Sequence, residues 1–188
     1  MSKSKELENQ NISKGVVIFA YNTSDLDYIG LAEVNARLVK KHLGLPTTLI
    51  TDKHFDSNVF EHVIAHENNE ENNRTFKWHN DLQTVNWRNI GRHDIYKLTP
   101  YDQTLLIDAD YIINSNVLLK LFESDIELAA FRECYDITGK SGFHVDEIIN
   151  FNSLEMYWAT VIYFKKTDYT RAVFDVMTNV KENWDYYR

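Results

Sequence analysis

The chain has 188 residues, 44% of them hydrophobic and 13% aromatic, so one packed domain is expected and disorder is not. Its 28 acidic against 20 basic residues give a net charge of −8, which argues against a surface built for a nucleic-acid backbone. Cys134 is the one cysteine, which rules out an intramolecular disulfide.

No apolar run approaches the roughly 18 residues of a membrane span, and the N-terminus is polar rather than signal-like, so a cytoplasmic protein is expected. Residues 1–14 lack apolar periodicity and read as a flexible tail ahead of a single domain over residues 15–188. GVVIFAY at 15–21 is a continuous apolar run, the pattern of a strand covered on both faces. Asn22, Thr23, Ser24 and Asp25 follow as a loop of helix-capping residues. Apolar positions from about 27 to 43 recur at helical spacing, and Gly44 with Pro46 ends that helix. TTLIT at 47–51, ending at Asp52, and EHVIA at 61–65 are two further strands. Strands alternating with a helix predict a mostly parallel sheet.

HENNEENN at 66–73 reads as a solvated loop and the aromatic-rich stretch 76–87 as irregular chain. His62 and His66 are four apart but have no third ligand at metal spacing, so they do not read as a zinc site. Residues 89–98 suit a short helix with Arg92 and Tyr96 one turn apart on one face. A turn at 99–102 leads into TLLIDADYII, residues 104–113, a buried strand ending in two acids. Asp108 and Asp110 on extended backbone project to the same side, roughly 6–7 Å apart. At an effective dielectric of about 20 they would repel by roughly 2–3 kcal/mol. A divalent cation reverses that sign, and hard oxygen ligands suit Mg²⁺ or Mn²⁺ with positions left open for a diphosphate. A plain strand cap is the competing reading.

Beyond the acids, NSNVLLKLF at 114–122 suggests a short helix capped by Asn114 or Ser115, and 127–131 a strand. Residues 134–147 read as a polar loop whose Gly139-Lys140-Ser141 lacks the earlier glycine of a phosphate loop, position 134 being Cys. YWATVIYF at 157–164 is the last strand. Thr167 can cap a final helix with Val173, Met177, Val180 and Trp184 as its apolar stripe. That helix reaches Arg188 without a stop signal, which suggests a longer natural chain.

Three segments, VVIFAYNTSDLDYIGLAEVNARLVKKHLGLPTTLITD, RHDIYKLTPYDQTLLIDADYII and MYWATVIYFKKTDYTRAVFDVM, together span about residues 15–179. In their order and in the Asp-x-Asp at a buried strand end, they resemble the GT-A glycosyltransferases, especially the glycogenin-like and phage-encoded members. The resemblance implies an α/β, Rossmann-like domain with a mostly parallel sheet flanked by helices. It implies transfer of a sugar from a nucleotide-diphosphate sugar to an acceptor hydroxyl, with Mn²⁺ or Mg²⁺ as cofactor. Carried over, Ala20, Tyr21, Asn22 and Asp52 would contact base and ribose, Arg92 and Ala109 would line the ribose and diphosphate, and Asp108 and Asp110 would hold the metal. A histidine that many members supply as third metal ligand has no match here. No single carboxylate is identifiable as a base: Asp146, Glu147 and Glu155 are candidates on the acceptor side, and Glu155 joins Asp108 and Asp110 as the expected catalytic set. The acceptor stays open. Two alternatives stay open as well: a nucleotidyltransferase of related fold, although the loop NTSDLD lacks the glycine and lysine of a triphosphate loop, and a non-catalytic nucleotide-binding or structural protein. A dehalogenase-type phosphatase fits less well, because its acidic pair belongs on the first strand.

Overall fold

The computed structural model describes residues 12–67, 72–78, 81–87, 90–131, 138–139 and 158–187. Strand β1 (Lys14–Phe19) leads into helix α1 (Tyr28–Leu43), then β2 (Thr47–Thr51) and β3 (His62–Ala65). An antiparallel pair, β4 (Asn72–Trp78) and β5 (Asp81–Trp87), forms a separate two-stranded sheet. A 3₁₀ turn (Ile90–Asp94) runs into the one-turn helix α2 (Ile95–Leu98) and strand β6 (Gln103–Asp108). The remaining elements are α3 (Leu119–Glu123), β7 (Leu128–Phe131), β8 (Trp158–Lys165), α4 (Asp168–Glu182) and α5 (Trp184–Tyr187).

The main sheet has the order β3-β2-β1-β6-β8-β7. Its first four strands are parallel, and β8 and β7 complete it antiparallel. Apolar residues alternate between the two faces of each central strand. Val16, Ile18, Leu105 and Ile107 pack on one side with Ala32, Ala36, Val39 and Leu43 of α1 and Phe122 of α3. Val17, Phe19, Ile50 and Leu106 pack on the other with Ile95, Phe164 and Phe174. Coverage on both faces suits the unbroken apolar runs VVIF of β1 and LLI of β6.

Local signals set the helix ends. Asp27 caps α1 by accepting from the Gly30 amide at 3.0 Å. Gly44 ends the helix in the left-handed conformation, φ 68°, where its amide donates to the carbonyls of Val39 and Lys40. Thr167 and Thr170 form a reciprocal capping box at the start of α4.

Several expectations need correction. Residues 72–78 and 81–87 pair as a ribbon, where the sequence suggested a loop and irregular chain. The asparagines around Phe76, Trp78, Val85 and Trp87 weakened the strand alternation that those residues carry. The helix expected at 114–122 begins only at Leu119, and its cap position, Leu118, makes no side-chain hydrogen bond. On α4 the buried residues are Thr170 and Phe174, whereas Met177 is 38% exposed, so the buried face is rotated from the expected stripe. Of the expected tail, residues 1–11 lie outside the described residues, while Ser13 and Lys14 belong to the fold. The polar loop expected at 134–147 also lies outside them, apart from residues 138–139.

Ser13 and Asp102 form a clasp at the entry to β6. The Ser13 amide and hydroxyl donate to Asp102 Oδ2 at 2.9 and 2.8 Å, and the Asp102 and Gln103 amides return bonds to the Ser13 carbonyl. The Ser13 hydroxyl and amide hold the Asp102 carboxyl below the usual carboxylate range. Such a group contributes stability above its unfolded-state pKa and loses it as pH falls through its lower folded value. The pair is exposed and screened, so Asp102→Asn should cost less than about 1 kcal/mol at pH 7. The difference between the two proteins should disappear at pH 2–3 in urea titrations. A difference that persists at low pH would mean that packing, not charge, holds the clasp.

Candidate active site at the C-terminal edge of the sheet

From β1 the chain moves to β2 and β3 on one side, then returns to β6 on the other, so β1 and β6 flank a topological switch point. Open sheets of this kind bind ligands in the crevice outside the carboxyl ends of the strands at that point. The register pairs Phe19 with Ile50 of β2 and with Asp108 of β6. Residues 20–22, Asp52 and 108–110 are therefore gathered along one edge of the sheet.

Two acids of one motif have different surroundings. Asp108 closes β6 with its side chain 23% exposed, and Ala109-Asp110 form a turn in which the Tyr111 amide donates to the Asp108 carbonyl at 3.1 Å. The extended geometry expected for both acids therefore ends at Asp108. The carbonyl of Asp108 also accepts from Nδ2 of Asn35, a fully buried residue of α1, at 3.2 Å. Strand periodicity puts the Asp108 side chain on the sheet face of Leu106, the face that the 3₁₀ turn and α2 cover. There Arg92 Nη2 meets Asp108 Oδ1 as an ion pair. Burial lowers the Arg92 pKa to about 10, and the nearby negative charge of Asp110 opposes that shift. Asp110 itself is exposed, and Ala109 between the acids is buried.

Ala20 is buried and donates its amide to the Ile50 carbonyl at 3.0 Å. Tyr21 is also buried within the core, with its hydroxyl donating to the His66 carbonyl at 3.4 Å. Burial, with a contribution from Asp52, pushes its hydroxyl up to about 12. Asn22 is an organiser of the loop: Oδ1 accepts from the Ile29 amide and Nδ2 donates to Asp27, both at 2.8 Å. Asp52 is exposed at the end of β2 and accepts from the Thr51 hydroxyl at 3.3 Å. Glu155, with Asp146 and Glu147, lies outside the described residues.

The sequence did not disclose how the Arg92 turn is anchored. Asp94 Oδ2 lies 3.4 Å from His93 Nε2 and 3.9 Å from Nε2 of His66, just past β3. Gly91 permits this: a Cβ there would stand 3.1 Å from His66 Nε2 and 3.6 Å from Phe19. His62, at the other end of β3, instead faces the Tyr101 ring, with centroids 6.4 Å apart. Tyr96 stacks on Phe164 and donates to the Thr167 carbonyl at 3.1 Å, whereas Arg92 goes to Asp108. Asn35 did leave a signal, a polar residue between Ala32 and Ala36 inside an apolar helix face.

The chemistry of the donor set can be tested against a divalent cation. Among the described residues no three His, Cys, Asp or Glu side chains cluster as a metal site. The protein's share there is two carboxylates, one exposed and one paired. That fits Mg²⁺ or Mn²⁺, which are commonly held by one or two carboxylates and completed by substrate phosphates and water. No helix among the described residues is long and apolar enough to cross a membrane.

No protein-family model matches the chain, and no curated protein sequence does. Solved structures do. The glycosyltransferase GlyE of Streptococcus pneumoniae TIGR4 superposes with a TM-score of 0.54 at 18% identity, covering 91% of this chain and 39% of GlyE. The galactosyltransferase LgtC, solved with donor and acceptor sugar analogues, gives 0.58 at 14% identity, covering 91% of this chain and 65% of LgtC. The chain thus spans well under half the length of the first and about two-thirds of the second. What these superpositions establish is the architecture: the chain has the GT-A-type, Rossmann-like fold of these glycosyltransferases.

Proposed function

We propose that the protein binds a nucleotide-diphosphate sugar at the switch point between β1 and β6 and transfers the sugar to an acceptor hydroxyl. The observation that carries this reading is the grouping of Arg92, Asp108 and Asp110 at the carboxyl end of β6, on a fold shared with glycosyltransferases. A diphosphate needs positive charge against it, and an acidic sheet end supplies that charge only through a cation.

Asp110, with Asp108 beside it, would hold Mn²⁺ or Mg²⁺. Bound there, such an ion stabilises the negative charge that builds on a departing nucleoside diphosphate. Arg92 would bind the diphosphate or ribose with its planar donors. Asp52, an exposed acceptor at the end of β2, suits ribose hydroxyls. Ala20, Tyr21 and Ala109 are buried, so their contribution to the nucleotide is a shaped wall and backbone edges. Asn22 keeps the first loop folded against the start of α1 and so holds that wall in place. Glu155 is assigned the acceptor-side carboxylate.

The test is a screen of common nucleotide-sugars with Mn²⁺, following release of nucleoside diphosphate with and without candidate acceptors. Release from at least one donor, dependent on the metal and lost in Asp110→Asn, is the expected result. Absence of both binding and release across the panel would reject the assignment. Pyrophosphate release from a nucleoside triphosphate and a sugar phosphate would favour the nucleotidyltransferase reading instead.

A further inference from the structure

The position of Arg92 bears on how the acidic pair is loaded. Its guanidinium is paired with Asp108, at a side chain that is only 16% exposed, and it also lies in the field of Asp110. The backbone carbonyl of Asp108 accepts from both Asn35 Nδ2 and the Tyr111 amide, which fixes the point from which its short side chain projects. Arg92 is the longer and more adaptable partner. It projects from a 3₁₀ turn that leads into the fully buried Ile95, with Asp94 of the turn 3.9 Å from His66 beyond β3.

A monovalent cation already seated against the acids changes what a divalent ion meets. With Arg92 in place, the three charges sum to −1; without it, the two acids present −2. Like charge between guanidinium and metal adds to that loss, and the shielding water is reduced by burial. A diphosphate reverses the preference, because its oxygens offer the guanidinium a planar, bidentate partner of higher charge and offer the metal additional ligands.

We infer that Arg92 is a latch: it holds Asp108 in the nucleotide-free protein, keeps the acidic pair a poor metal site, and yields to metal only when a diphosphate draws it away. Metal and nucleotide then bind with strong positive coupling, each raising the affinity of the other by the same factor. This rests on the metal and diphosphate assignments above.

The experiment is a Mn²⁺ titration, read by the loss of free-ion electron paramagnetic resonance signal, on the wild type and on Arg92→Gln, each with and without nucleoside diphosphate. Removing a cation should tighten Mn²⁺ binding to the nucleotide-free protein by tenfold or more. The nucleotide should tighten Mn²⁺ binding to the wild type by at least tenfold, and to Arg92→Gln by far less. Equal or weaker Mn²⁺ affinity in nucleotide-free Arg92→Gln overturns the latch. If that variant does not fold, the wild type decides through the Arg92 Nε–H resonance in ¹H–¹⁵N spectra: nucleoside diphosphate with diamagnetic Mg²⁺ should move it, and binding that leaves it in place overturns the latch. A wild type that binds no nucleoside diphosphate under any condition rejects the proposed function. In that event the nucleotide-free titration still decides whether Arg92 keeps metal out.

Discussion

Nucleoside diphosphate should stabilise the protein only when Mn²⁺ or Mg²⁺ is present, and Asp110→Asn should abolish that stabilisation. At ligand one hundred times its dissociation constant, binding linkage contributes about 2.7 kcal/mol. For a domain of this length that corresponds to a rise of roughly 5–10 °C in the melting midpoint. Asp110 is exposed at a turn, so its substitution should alter the ligand-free protein by no more than about 0.5 kcal/mol. The measurement is thermal unfolding with nucleotide alone, metal alone and both. A metal-dependent shift that survives in Asp110→Asn would falsify the assignment of this residue as a ligand. A collapse of the ligand-free variant would instead mark Asp110 as a structural cap.

Phe164→Ala should be the most damaging single truncation on the side of the sheet that carries Arg92. Phe164 is fully buried on β8, with its ring 4.8 Å from that of Phe174 and 6.0 Å from that of Tyr96. Deleting a buried phenyl group costs about 3–5 kcal/mol, the transfer free energy plus the void left behind. Against typical total stabilities of about 5–15 kcal/mol that is a large fraction, so the urea midpoint should fall sharply. Val176→Ala on the exposed side of α4 is the control, since Val176 is 62% exposed and should cost no more than about 0.5 kcal/mol. A loss below about 1 kcal/mol at Phe164 would mean that the site collapses freely and that α4 and Tyr96 are not braced by it. Tyr96 stands one turn from Arg92, so the truncation should also weaken nucleotide binding in whatever fraction remains folded.

Most of the sheet could be read directly from the chain. Runs such as VVIF and LLI are apolar at every position, and a strand covered on both faces suits so short a run bounded by polar residues. Asp27, Gly44 and Thr167 announced helix ends because capping is local chemistry, settled within four residues. The β4–β5 ribbon was missed. Its seven paired positions run from Asn72↔Trp87 to Trp78↔Asp81; Phe76 and Trp78, and Val85 and Trp87, alternate with polar residues as strands do, but the asparagines around them weakened that signal. The buried face of α4 was misjudged for a related reason: several apolar stripes were available, and packing against Phe164 and Tyr96 selected the one containing Phe174.

For the site, the sequence supplied the acids, their place at the end of a buried strand, and Arg92 nearby. It could not say that the two acids would differ. Asp108 ends the strand facing the 3₁₀ turn and is neutralised by Arg92, while Asp110 falls on a turn and stays open to solvent. That difference depends on which sheet face the last strand residue points to and on which element covers that face. The same holds for Asn35 on the Asp108 carbonyl, 73 residues away in the chain, and for His66 against Asp94, joined across β3 and the 3₁₀ turn. Strand identity and capping follow from neighbours in the chain, and the residue order carries them. Which charge meets which depends on the sheet face that Asp108 takes and on the elements packed over that face, and only the folded chain fixes it.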